Sequence, residues 1–169
     1  MEIIHHIKKE LLKQGMDDVI VTFNETEGRQ LKFVNNEVVK TGSELTSDIS
    51  IFAAKDKKII STSLKDISQN KAEELINKII NFSKNLTPNK DYNGIAKGPF
   101  KYNSNINYDK NIMDMDESDL LEKGINKALE KSKRVSGNLE IWHSKSHLVT
   151  STDVEANEDS SNLYFSLRA

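Results

Sequence analysis

Residues 28–64, GRQLKFVNNEVVKTGSELTSDISIFAAKDKKIISTSL, show the most regular pattern in this sequence. Apolar side chains recur at every second position: Leu31, Phe33, Ile49, Ile51, Ala53 and Ile60. A period of two places such side chains on one face of a β-sheet. Asn35–Asn36, Gly42–Ser43 and the polar residues 55–58 have the composition of turns between strands. This stretch therefore predicts a meander of antiparallel strands, and it contains no catalytic motif.

Outside this stretch, helical and strand patterns alternate. Apolar residues at three- and four-residue steps predict a helix over 2–14, a second from Asp66 to Thr87–Pro88 with Gln69 in a capping-box position, and a third over 116–134. Further strands are predicted from Val19 to about Gly28 and over 139–143, 148–152 and 163–167. Strands separated by single helices predict an α+β fold, an antiparallel sheet meander with about three helices packed on it. We expect one domain over 1–169.

The connection over residues 89–115 shows no period and is rich in Asn. A connection of this length is usually functional or packed over a neighbouring element. It contains four aromatic residues, Tyr92, Phe100, Tyr102 and Tyr108. Aromatic side chains are rare in free linkers, so we expect them to anchor the connection along the surface of the domain.

The composition excludes several classes of protein. Lys and Arg number 24 against 26 Asp and Glu, for a net charge of −2, so a nucleic-acid partner is not expected. No apolar run reaches the roughly 20 residues that span a bilayer, and the charged N-terminus does not resemble a signal peptide. The sequence has no cysteine, hence no disulfide and no thiolate ligand. We therefore expect a cytoplasmic protein without membrane partners.

Histidines are the first candidate metal ligands. His143 and His147 are four residues apart, a spacing that chelates a metal on a helix, but here they lie in a predicted strand. In a strand the two residues would be about 13 Å apart, so we expect both to face solvent. His5 and His6 are adjacent on a helix and point in different directions, which predicts surface or boundary positions.

The remaining motifs also favour structural roles. Asp114–Asp119 begins like a calcium loop but has Asp119 where glycine is needed, and acidic residues are typical of a helix N-terminus. Gly94 and Gly98 lack the motif of a phosphate loop, and no serine lies in a GxSxG sequence. We therefore predict no catalytic, cofactor-binding or metal-binding residue in this chain.

The pattern as a whole resembles the N-terminal domain of the TldD/PmbA family of proposed zinc metallopeptidases, also called modulators of DNA gyrase. The resemblance is carried by Gly28–Leu64, above all by Arg29–Val38. It continues in Ser61–Leu64, Asp66–Ser68, Tyr92–Ile95, Tyr108–Asp109, Ser151–Val154 and Leu163–Ala169, so that the likeness extends over nearly the entire chain. One departure is Ser151-Thr-Asp153, where family members carry an "nS.G" pattern.

The resemblance implies a non-catalytic domain that contributes to the peptide cavity and to subunit pairing. The family's metal motif, His-Glu-x-x-x-His with a later Cys, lies in a following domain that is absent from this chain, and His143–His147 does not match that motif. Zinc is implied only for the absent domain, so we expect this chain alone to bind no zinc and to cleave no peptide. A homo- or hetero-dimer partner of the same family and a peptide substrate are expected for the full-length protein.

Two alternatives remain open at this stage. The chain could instead be a stand-alone interaction module that uses a sheet edge, or a domain of an inactive partner subunit. Residues 163–169 alternate cleanly and carry no polar tail, so we expect the chain to end inside a strand. If that strand lies at a sheet edge, residues 162–168 should mediate self-association.

Overall fold

The fold is an antiparallel five-stranded sheet with four helices. A computed structural model describes residues 2–98, 100 and 107–169. Its elements are α1 (Glu2–Lys13), β1 (Asp18–Val34), β2 (Glu37–Lys55), β3 (Lys58–Leu64), α2 (Gln69–Asn85), α3 (Lys110–Met113), α4 (Glu117–Leu129), β4 (Ser136–Thr150) and β5 (Glu155–Arg168). The strand order is β3-β2-β1-β4-β5. The predicted α+β class is confirmed, and no helix in the described ranges has both the length and the apolarity to span a membrane.

Two tight turns join the first three strands as the sequence predicts. Asn35 and Asn36 have φ of 52° and 74°, and Asp56 and Lys57 have φ of 49° and 62°. Positive φ at both central residues gives the turn a twist that matches the flanking strands, and short polar side chains tolerate it. The second turn sets the register of β2 with β3, from Lys55 opposite Lys58 to Ile49 opposite Leu64.

Several predicted boundaries are wrong because the strands continue beyond their apolar parts. Gly42–Ser43 is not a turn but lies within β2, where the side chains are exposed and backbone pairing alone maintains the strand. The two strands predicted over 139–143 and 148–152 are the single strand β4, and the one predicted over 163–167 is the end of β5. Alternating burial marks only the segments of a strand that face a core.

The helices also differ in detail. The N-cap of α2 is Ser68 rather than Asp66, and its side chain makes no capping hydrogen bond. The third predicted helix, α4, ends at Leu129, after which the Ser132 hydroxyl donates to the Ala128 carbonyl at 3.0 Å. The short helix α3 is additional, because four residues show too little periodicity to be recognised.

The chain forms two compact units. The first comprises Met1–Glu25, Ser47–Ser104 and Ser146–Glu158, and the second comprises Thr26–Thr46, Asn105–Lys145 and Asp159–Ala169. Strands β1, β2, β4 and β5 each contribute residues to both units. The single-domain organisation expected from the sequence stays a prediction.

The core of the first unit lies between helices α1 and α2 and the sheet. Its fully buried members include Ile4, Ile7, Leu11, Val19, Val21, Ile49 and Ala53. Burial of each large aliphatic side chain stabilises the fold by about 1.5–3 kcal/mol, so α1 is firmly held on the sheet. The second unit has its own core, in which α4 packs Leu121 and Ile125 against Leu31, Phe33, Val135 and Leu139.

Candidate functional site

Three side chains that are remote in the sequence meet in the first unit. Nε2 of His147 lies 2.8 Å from Oε1 of Glu155, and Nε2 of His5 lies 3.6 Å from the same oxygen. The rings of His5 and His147 meet edge to face, with 5.9 Å between their centroids. One ligand atom from each of the three residues lies within 4.8 Å of the other two. We call these three residues the His–His–Glu cluster.

Regular elements position each member of the cluster. His5 is on the first turn of α1, between the buried residues Ile4 and Ile7. His147 is near the end of β4, and Glu155 begins β5. The turn between these strands contains Asp153 with φ of 60°, and it is closed by a 2.9 Å hydrogen bond from the Thr150 N–H to the Val154 carbonyl.

One side chain of the cluster is buried, and the other two are exposed to solvent. The side chain of His147 is only 8% exposed, whereas those of His5 and Glu155 are 44% and 56% exposed. The hydrogen bond with His147 lowers the pKa of the Glu155 carboxyl, burial opposes this change, and the charges of His5, His147 and Lys8 lower the pKa further. The carboxylate is therefore ionised at neutral pH and can accept a cation.

The structure corrects the expectation that the strand histidines face solvent. His147 is buried, and the side chain of His143 is only 13% exposed. Each has a different carboxylate partner, since Nε2 of His143 lies 2.5 Å from Oδ1 of Asp159. Alternation along β4 could have revealed the burial of His147, because it lies two residues before the core residue Val149.

His6 makes a separate cluster on the neighbouring face of α1. Its Nε2 lies 2.7 Å from Oε1 of Glu73 and 2.9 Å from Nε2 of Gln69. The predicted surface or boundary position of the His5–His6 pair is confirmed, because His5 is exposed and His6 is partly buried. The two rings point to different partners, as adjacent helical positions require.

The acidic residues 114–119 lie at the N-terminus of α4, as predicted, and one of them caps the helix. Oδ1 of Asp116 accepts hydrogen bonds from the backbone N–H groups of Ser118 and Asp119, at 2.9 and 3.2 Å. Such a bond satisfies donors that an α-helix leaves unpaired in its first turn. The helix N-terminus predicted for these acidic residues is thus present, and the structure adds the capping role of Asp116.

The long connection is anchored at two of the predicted aromatic residues. The Tyr92 hydroxyl donates to Oδ2 of Asp18 at 2.6 Å, and its ring packs against Phe52. The ring of Tyr108 contacts that of His143, with 4.7 Å between centroids. Phe100 is about half exposed, so its role as an anchor stays a prediction. Tyr102 lies outside the described residues.

Comparisons with known proteins identify solved structures that share this fold. No protein-family model matches the sequence, and no curated protein matches it either. TldE from Thermococcus kodakarensis superimposes with a TM-score of 0.78 at 16% identity, covering 98% of this chain and 39% of TldE. The chain has the fold of this part of TldE. The resemblance that we infer from residues 29–38 and the other segments is thus confirmed at the level of the fold.

Two further solved structures show the same match. A proposed modulator of DNA gyrase from Bacteroides thetaiotaomicron gives a TM-score of 0.81 at 15% identity, with 98% of this chain and 39% of that chain covered. A proposed modulator of a DNA gyrase from Thermotoga maritima gives 0.77 at 16% identity, with 97% and 38% covered. This chain therefore spans about two fifths of the length of the proteins whose fold it shares.

A groove in the second unit is a further candidate surface. It has a volume of about 590 Å³, and its lining includes Gln30, Lys32, Asn138, Tyr164, Ser166 and Arg168. These residues come from β1, β4 and β5, so the groove follows neighbouring strands. Its lining also includes the apolar residues Phe33, Val34 and Leu167, so it offers both polar and apolar contacts to an extended peptide.

Proposed function

We propose that this chain is the N-terminal, non-catalytic domain of a cytoplasmic TldD/PmbA-type protein, in which it borders the peptide cavity and takes part in subunit pairing. The observation that carries this proposal is the match in fold to TldE, which extends over 98% of this chain but only 39% of TldE. The groove of the second unit supports a role beside a peptide, since its mixed polar and apolar lining is drawn from adjacent strands.

The residues of this chain do not fit the zinc site of the family. The sequence has no cysteine, and Ser144-Lys145-Ser146 separates His143 from His147 where the motif requires a Glu after the first His. In addition, the two histidines have different carboxylate partners, Asp159 and Glu155. Under this proposal, zinc-dependent peptide hydrolysis belongs to another domain, and no step of it is assigned to residues 1–169.

The proposal predicts that the purified chain does not cleave peptides. We expect no fragments when the untagged chain is incubated with unfolded casein, with or without added zinc, as followed by mass spectrometry. Cleavage that co-purifies with the chain through two orthogonal columns, and that a metal chelator abolishes, would contradict a non-catalytic role.

The coding sequence beyond codon 169 distinguishes a peptidase, an inactive partner subunit and a stand-alone module. A His-Glu-x-x-x-His segment encoded beyond codon 169 would support the peptidase half, and a family-like second domain without it would indicate an inactive partner subunit. A stop codon directly after codon 169 would favour a stand-alone module.

One observation favours that second candidate function, an interaction module. Residues 37–47 of β2 are exposed throughout, and β3 pairs with β2 only from Ile49 to Lys55. This segment carries the exposed apolar residues Val38, Val39 and Leu45. A strand with an accessible edge and apolar side chains can pair with an extended segment of another protein.

A further inference from the structure

The proposed non-catalytic role leaves the His–His–Glu cluster unexplained. We propose that His5, His147 and Glu155 bind one divalent transition-metal ion, with zinc as its best representative. This inference does not rest on the proposed function, and the site is distinct from the zinc motif of the TldD/PmbA family. It reverses the sequence-based expectation of a chain without metal.

The distances within the cluster are close to those that a zinc ion requires. Zinc binds histidine nitrogen at about 2.0–2.1 Å and carboxylate oxygen at about 2.0–2.2 Å, so neighbouring ligands of a tetrahedral site are about 3.4 Å apart. Nε2 of His5 is already 3.6 Å from Oε1 of Glu155, and the corresponding distance from His147 is 2.8 Å. Only rotations of exposed side chains are needed to admit the ion.

The scaffold holds the three residues before any ion binds. His147 is buried in β4, Glu155 follows the hydrogen-bonded turn at the start of β5, and His5 is flanked by buried residues of α1. Because rigid elements place all three ligands, binding orders only the side chains of His5 and Glu155.

The donor set determines which ions are suitable. Two imidazole nitrogens and one carboxylate oxygen suit Zn²⁺, Cu²⁺ and Ni²⁺, whereas Ca²⁺ and Mg²⁺ require more oxygen ligands. Three protein ligands leave a fourth position, and the exposure of His5 and Glu155 opens it towards solvent. Water completes the coordination in the isolated chain. The charge of Lys8 acts on Glu155 and opposes cation binding, so Lys8→Gln should strengthen it several-fold.

The test is zinc titration of the untagged 169-residue chain, measured by calorimetry and by competition with a chromogenic chelator. We expect one zinc per chain, and a visible absorption band of tetrahedral character when Co²⁺ replaces zinc. His5→Ala and Glu155→Gln change exposed side chains, so both variants should fold normally, as circular dichroism can verify. Each should weaken zinc binding by at least tenfold, because one of three ligands is lost.

Two histidine variants serve as matched controls. His6 is next to His5 on α1 but contacts Glu73 and Gln69, and His143 is on β4 but contacts Asp159. His6→Ala and His143→Ala should each bind zinc within twofold of wild type. The proposal is overturned if the wild-type chain binds no stoichiometric zinc, if His5→Ala and Glu155→Gln bind as wild type does, or if either control loses the ion.

Discussion

At the scale of single residues, the close contact between Gly28 and Trp142 provides a test of packing. A Cβ placed on Gly28 would lie 2.0 Å from Cζ3 and 2.1 Å from Cε3 of the indole ring. Trp142 cannot move away freely, because its Nε1 donates to Glu140 and its ring lies on β4 beside β1. We expect Gly28→Ala to lower the free energy of unfolding by about 1–3 kcal/mol, the usual cost of overpacking.

Gly42→Ala is the matched control for this substitution. Gly42 is also within a strand, but a Cβ placed there meets nothing within 4 Å. Its replacement should leave stability unchanged or raise it by about 0.4–1 kcal/mol through the unfolded state. Urea unfolding followed by circular dichroism measures both variants, and equal effects of the two would refute the packing role of Gly28.

Glu140 is expected to make stability depend on pH. Its carboxylate accepts hydrogen bonds from Gln30, Asn138 and Trp142, at 2.9, 2.7 and 3.3 Å. The bond from Gln30 contributes most to lowering the pKa of this carboxyl below its ordinary value of 4.5, with smaller contributions from the other two donors and opposition from burial. Stabilisation by Glu140 is therefore complete above pH 4.5 and is lost as the pH falls through the lower folded-state pKa.

Unfolding of Glu140→Gln at different pH values tests this linkage. The variant should be less stable than wild type at pH 7, by about 1 kcal/mol or less because solvent screens the group, and the difference should shrink by pH 3. Glu158→Gln, at an exposed position of β5, is the control. A difference between wild type and Glu140→Gln that stays constant from pH 7 to pH 3 would argue against the proposed role of the carboxylate.

At the scale of elements, the N-caps of α4 and α2 predict different effects of alanine substitution on stability. Asp116 accepts two backbone hydrogen bonds at the start of α4, whereas the Ser68 side chain at the start of α2 makes no capping hydrogen bond. Asp116→Ala should therefore destabilise the chain by about 1 kcal/mol, and Asp116→Asn by much less, because an amide oxygen can also cap. Ser68→Ala should have little effect.

Thermal unfolding in parallel samples measures this contrast. If Ser68→Ala destabilises as much as Asp116→Ala, the side-chain bonds of Asp116 are not the source of its stabilisation.

At the scale of the whole molecule, the exposed sheet edges predict how chains associate. β5 is an edge strand, so the condition set for residues 162–168 is met, and its end carries the exposed residues Tyr164 and Leu167. Asn107 forms a parallel bridge with Ser160, two residues before the segment 162–168 begins. We therefore expect the chain to pair through residues 162–168 as an antiparallel two-fold dimer.

Two lysine substitutions test whether the dimer forms through the edge of β5 or through that of β2. Tyr164→Lys places a charge on the exposed end of β5 and should convert the dimer to a monomer of 19.2 kDa, as measured by sedimentation. Ser166 is less suitable because its hydroxyl donates to Asn138, and Phe165 packs against Phe33. Leu45→Lys on β2 is the control and should leave the dimer intact. Dissociation by Leu45→Lys alone would assign the interface to β2.

The sequence by itself determined those strands, turns and helices that depend on a few neighbouring residues. The alternation of Leu31 and Phe33 predicted a strand, and the pair Asn35–Asn36 predicted the turn that follows it, because both depend on a few adjacent residues. The apolar stripe of α1 predicted that helix to within one residue of its end. The acidic residues 114–119 predicted the N-terminus of α4 for the same reason.

Tertiary structure alone decided how far the strands extend and which side chains meet. Residues 37–47 continue β2 through backbone pairing although their side chains are exposed, so no alternation of apolar residues marks them. The histidine spacing suggested His143 as the companion of His147, but the packing of α1 and the turn before β5 bring His5 and Glu155 to it instead. Sequence periodicity shows which face of its own helix or strand a residue occupies. The partner across the core depends on strand register and helix docking, which are set by the packing of residues remote in the chain.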